Sequence, residues 1–239
     1  MTLPTAKTPP MTDAAHITML LYGPPKVGKS TFCSRFPRGF FIATEPGLNH
    51  LETFNLRADT WDESLSILAD LEANPDAFSP IIIDTVDKLW DFCVASIVSK
   101  NKLETISDLA YGKGYALAFN EFSRYIQRLV ALKTGLVFVS HHAYDEITQT
   151  DGTVIKKFMP SVSAKIRDVI MPLVDIIAFA TVEYQLNAEN GQRKEKRVLH
   201  TQPGILWEAG DRSGRLPAEM PFSYHIYQQL LEGKKEGDK

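Results

Sequence analysis

LLYGPPKVGKSTF, residues 20–32, decides the fold. Residues 23–30 fill every fixed position of G-x-x-x-x-G-K-[ST], between an apolar strand and the start of a helix, which is the context that gives the motif its meaning. Glycines let backbone N–H groups turn inward around a phosphate, and the helix N-terminus adds its positive end. Gly23, Pro24, Pro25, Lys26, Val27, Gly28, Lys29, Ser30 and Thr31 are therefore expected to cradle a nucleoside triphosphate such as ATP, with the Lys26 side chain turned to solvent. Lys29 is expected on the β- and γ-phosphate oxygens, and Ser30 on Mg²⁺.

The next run outward is PIIID, residues 80–84. Asp84 closes a strand that is apolar on both faces, at the carboxyl end where open parallel sheets bind ligands. It is the second expected Mg²⁺ residue, acting through water. Asp84 is followed by Thr85 rather than by a glutamate. The group that orients the attacking water must come from elsewhere, and FFIATEPG offers Glu45 just past another strand, with Pro46 and Gly47 turning the chain away.

Five further apolar runs join the loop strand (16–22): 38–44, 80–84, 135–141, 175–184 and 196–202. Helical spacing fills the gaps over 29–36, 61–74, 87–101, 114–133 and 163–174. In the fourth of these, Leu117, Phe122, Ile126, Leu129 and Val130 keep the period. Strands without polar alternation, separated by helices, mean an α/β fold with a mostly parallel sheet covered on both faces. Residues 1–15 and 233–239 read as tails around a single core at 16–232.

At 239 residues and 44% hydrophobic, the chain can bury a full core. A net charge of −3 excludes a protein that is basic all over, so any nucleic-acid contact must come from local patches. Cys33 and Cys93 read as buried, reduced thiols. No apolar run reaches the ~18–20 residues a bilayer span needs. The N-terminal stretch has no signal-like apolar segment, and a cytoplasmic protein without membrane contact is the expectation.

A strand ending in Glu45 behind the phosphate loop, with a turn after it, resembles the RecA-type ATPases. GPPKVGKST, ATEPG, IIIDT, YGKGY before a long helix, FVSHH, and RSGR before LP are together similar to phage-encoded, RecA-core ATPases of single-strand annealing and recombination. The resemblance runs from His16 to Leu216. It implies that the 135–141 strand lies between the loop strand and the Asp84 strand, with His141 at its tip as γ-phosphate sensor. Glu45, Lys29, His141 and Arg212 become the catalytic set, Arg212 acting as a finger in a neighbouring subunit's ATP site.

The resemblance also implies a homo-oligomer with ATP at subunit interfaces, single-stranded DNA as partner, and a single-strand-binding protein as a candidate helper. DNA contacts fall on two loops. The first, 106–116, carries Tyr111 and Lys113. The second holds a hairpin over 148–158, with Asp151-Gly152 as its turn and Lys156, Lys157 and Phe158 on its returning arm. Lysines interleaved with aromatics suit a single-strand groove. Two other classes stay open: a nucleotide or small-molecule kinase, and a nucleotide-dependent adaptor of replication proteins.

Overall fold

The computed structural model describes residue 3, residues 5–186 and residues 193–233. Its centre is a nine-stranded sheet. The parallel part consists of β1 (Met19–Tyr22), β2 (Phe40–Ala43), β3 (Phe54–Arg57), β4 (Ile81–Asp84), β5 (Leu136–Ser140) and β8 (Ile176–Leu186). Antiparallel strands β9 (Arg193–His200) and β11 (Glu219–Pro221) extend it beyond β8, and the short β10 (Gly210–Asp211) also pairs with β8. The order is β3-β2-β4-β5-β1-β8-β9-β11. The strand ending near His141 therefore stands between the loop strand and the Asp84 strand, as expected.

Alternate residues of each central strand feed opposite cores. Leu20, Ile42, Ile83 and Phe138 face α2 (Trp61–Ala73), α3 (Val86–Lys100), α4 (Lys113–Ala131) and α5 (Ala164–Ile170). Leu21, Phe41, Ile82 and Val139 face α1 (Lys29–Cys33) and α6 (Tyr224–Leu231). Both faces are covered, which is why these runs are apolar throughout rather than alternating. The capping box of Thr60 and Glu63 fixes the start of α2.

Several expectations shift. Along α4 the buried stripe is Ala118, Phe122, Tyr125, Ile126 and Leu129, while Leu117 and Val130 stand at its exposed edges. Helix α1 ends at Cys33 and α5 at Ile170, both short of the expected lengths. The core begins before His16, since Ala14 is buried and the Ala15 carbonyl lies where a side chain on Gly135 would sit. The hairpin is longer than its turn signal suggested. It pairs β6 (His142–Thr148) with β7 (Val154–Pro160) around a turn that holds Asp151 and Gly152. Both cysteines are buried thiols, as read. Among the described residues, no helix is long and apolar enough to cross a membrane.

Candidate nucleotide site

The loop between β1 and α1 is built to approach a ligand with its backbone. Gly28 takes a left-handed conformation (φ 113°), and a Cβ on Gly23 would lie 2.2 Å from the Ala180 carbonyl on β8. Lys29 is buried and folds back on the loop, its Nζ donating to the carbonyls of Gly23 (2.9 Å) and Pro24 (3.0 Å). Burial pushes its ammonium below the usual lysine range, partly offset by the carboxylates of Asp84, Asp87 and Glu45. These two carbonyls hold a charge that phosphate oxygens would hold better. The Lys26 side chain is exposed, as expected.

Register in the sheet brings the remaining groups to that loop. Ser30 Oγ donates to Asp84 Oδ2 at 2.6 Å. Burial raises the Asp84 carboxyl, with Ser30 and Lys29 pulling it back. A hydroxyl touching a carboxylate at the foot of a phosphate loop is a hard-oxygen donor set, and it fits Mg²⁺. The Asp84–Thr85 peptide is cis. At the tip of β2, Thr44 Oγ1 accepts from the Thr85 N–H (2.7 Å) and donates to the Thr85 carbonyl (2.9 Å). This clamp sets Glu45 beside the Asp84 strand, where Thr85 Oγ1 donates to Glu45 Oε1 at 3.2 Å. Thr85, directly after Asp84, thus steadies Glu45 just past β2.

His141, just past β5, completes the cluster. Its backbone N–H and its Nδ1 both meet Asp87 Oδ2, at 3.0 and 2.7 Å, and its Nε2 lies 3.9 Å from Glu45 Oε2. An ionised Asp87 accepts only, so Nδ1 carries the proton and Nε2 is left facing Glu45. Burial alone would raise the Asp87 carboxyl, but hydrogen bonds from His141 outweigh it and hold the group low. The same hydrogen bond raises the imidazole above its ordinary value. A cleft of about 610 Å³ brings Lys29, Ser30, Glu45, Asp84 and His141 together, with Arg197 from β9 on its rim.

The raised imidazole gives a pH dependence of stability. A group whose folded pKa is raised stabilises fully below its unfolded value, about 6.5 for histidine, and loses that contribution as pH rises through the folded value. The melting temperature of wild type minus that of His141→Gln is therefore expected to be largest near pH 6 and to shrink towards pH 8–9. A difference that grows with pH over this range would contradict the Asp87–His141 pairing.

A family model described as an AAA domain matches residues 15–213, most of the chain. The chain belongs to that family. Among curated proteins none matches it. The match covers the loop strand, Glu45, Asp84 and His141 alike, and it supports a nucleotide-binding ATPase domain.

The other expected residues of this AAA domain lie away from the cleft. Arg212 is exposed, with a guanidinium N–H donating to the Pro172 carbonyl (2.8 Å). It follows β10, which pairs with Ile176 and Ile177 at the start of β8, the end of the sheet opposite the loop. Tyr111 is fully exposed, in a left-handed backbone (φ 58°), and Lys113 is exposed beside it. Lys156 is exposed on the hairpin, 3.7 Å from Glu146.

Lys157 and Phe158 stand on the returning arm, as expected, but both are partly buried against other parts of the chain. Lys157 is largely buried in an ion pair with Glu208, and Phe158 stacks on Phe179 (5.0 Å between centroids). The cause is the 202–208 segment, which bonds β7 through Phe158 N–H to the Leu206 carbonyl (2.7 Å) and Glu208 N–H to the Phe158 carbonyl (3.2 Å). A turn signal sets the hairpin's register, but it cannot show which part another segment will cover. Arg128 on α4, another cation of the surface, is held by Glu72 through two hydrogen bonds.

Sequence reasoning missed Asp87, Thr85 and Arg197. Asp87 had a usable signal, an acidic residue in the first turn of a helix directly after the Asp84 strand. Arg197 had none, since it is one of several charges along RKEKRVLH and only the pairing of Arg197 with Val182 carries it to the loop.

Proposed function

We propose that this protein is a RecA-like, Mg²⁺-dependent ATPase that acts on single-stranded DNA in recombination, annealing or repair. The reading is supported above all by the continuity of the cleft with the hairpin. β5 places His141 beside Glu45, and the next residue opens β6. From the other side, Tyr22 ends the loop strand; its hydroxyl donates to the Glu208 carbonyl (2.7 Å) and lies 3.1 Å from the carbonyl of Phe158 on the hairpin's returning arm. Both ends of the hairpin are therefore tied to strands that meet the phosphate cleft.

In this reading Lys29 leaves the Gly23 and Pro24 carbonyls for the β- and γ-phosphate oxygens. Ser30 and Asp84 would hold Mg²⁺, which when bound neutralises charge on the phosphate oxygens. Glu45 takes the proton of the attacking water, steadied by Thr85. His141 reads the terminal phosphate and passes its presence into β6, following the logic of switches held by a γ-phosphate. Arg212 of a second copy supplies the finger, so the active form is a homo-oligomer, with a single-strand-binding protein as a candidate helper. DNA contact falls to Tyr111, Lys113 and Lys156, the exposed members of the two loops. By resemblance, phage-encoded annealing ATPases offer a functional analogy.

Anisotropy of a labelled single-stranded oligonucleotide tests this. Affinity is expected to be higher with a non-hydrolysable ATP analogue than with ADP. Lys113→Ala and Lys156→Ala should each flatten the salt dependence by roughly 0.7 in log–log slope, the value for one lost phosphate contact on a single strand. Equal affinity in both nucleotide states, or slopes unmoved by either change, would overturn the DNA reading.

A further inference from the structure

A second cleft, of about 460 Å³, opens from the phosphate cleft across Gly28, Thr31 and Arg197, which line both. Its far wall is Phe222 and Tyr224, at the junction of β11 and α6, and Arg35 lines its α1 side. These wall residues follow position 213, where the family match ends. We propose that this cleft holds the base and ribose of the nucleotide, so that the C-terminal segment outside the family match reads the nucleoside. The inference rests on the ATPase reading above.

Three observations carry it. The cleft continues directly from the loop, so a ligand with its phosphates over Gly28 and Lys29 extends into it past Thr31. A neighbouring cleft beyond His50 and Leu51 contains no residue of the loop. The walls also suit a nucleoside. Phe222 stacks on Phe32 (5.1 Å) and Tyr224 packs edge-on to Phe36 (4.7 Å), giving a braced aromatic surface of the kind on which bases stack.

The third observation is Arg197. Its guanidinium has no ion-pair or hydrogen-bond partner among the described residues, and its Nη1 lies 3.3 Å from where a Cβ on Gly28 would be. An unpaired guanidinium at the junction of two clefts is placed to meet phosphate on one side and the plane of a base on the other. The Phe222 N–H donates to the Arg197 carbonyl (3.0 Å), so the arginine and the aromatic wall are fixed to each other.

Amide hydrogen exchange of the wild-type protein tests this with two probes, Mg²⁺-ADP and Mg²⁺-pyrophosphate. Both ligands are expected to protect 23–31, and only ADP to protect 221–226. As a second measurement, Tyr224→Leu is expected to weaken ADP on the order of tenfold more than pyrophosphate. Protection of 23–31 by ADP without protection of 221–226, or with 48–54 protected instead, overturns the inference and leaves the ATPase reading standing. Failure of both ligands to protect 23–31 removes the ATPase reading itself, and the inference with it.

Discussion

Glu45→Gln is expected to lower the turnover of ATP by about 10²–10⁴-fold, the range for loss of a positioned general base, while ATP binding stays close to wild type. The geometry gives the reason. Glu45 sits at the rim of the phosphate cleft rather than in the cradle, and its fixed neighbours are Thr85 (3.2 Å) and His141 (3.9 Å). Glutamine keeps the shape and can still accept from Thr85, but it cannot take a proton. The loss should therefore fall on kcat with KM little changed, as for a group that acts only in the transition state. Steady-state hydrolysis measured beside equilibrium binding of a fluorescent ATP analogue separates the two. Unchanged turnover in Glu45→Gln would remove Glu45 from the reaction.

Lys29→Ala is expected to reduce kcat/KM at least as strongly, by about 10²–10³-fold or more, the cost of losing one charged donor at a developing anion. Unlike Glu45→Gln it should also weaken binding, since the ammonium meets the phosphates in the ground state as well. Stability should barely move. The change removes hydrogen bonds to the Gly23 and Pro24 carbonyls, each contributing about 0.5–1.5 kcal/mol, but it also removes a buried ammonium whose lowered pKa marks a desolvation cost. A melting temperature within a few degrees of wild type, with activity lost, identifies a functional lysine. A large fall in melting temperature would mean that Lys29 instead holds the loop together.

Legibility in the sequence followed burial. Runs such as FFIA and the three isoleucines of IIID are apolar on both faces because each of these residues meets one of two cores, and such strands declare themselves. β3 did not, because Phe54–Arg57 is an exposed edge of four residues whose partner is β2 alone. β11 and α6 escaped as well: three residues and a single two-turn helix give too little pattern to separate from a loop. The site divides in the same way. The loop, Asp84 and Glu45 are adjacent to strand ends and could be read from chain order. Arg197 and Phe222 reach the loop only through the antiparallel pairing of β8, β9 and β11, a long-range register that local spacing does not encode. Lys157 and Phe158 illustrate the converse, a local pattern overridden by the 202–208 segment laid against β7.

The most direct test of the account is steady-state ATP hydrolysis by the purified protein with Mg²⁺, with and without single-stranded DNA. Hydrolysis that needs Mg²⁺ and rises when DNA is added is the predicted result, because the hairpin and the phosphate cleft share β5 and Tyr22. Hydrolysis indifferent to DNA, or transfer of the γ-phosphate to a small-molecule acceptor instead of water, would contradict it.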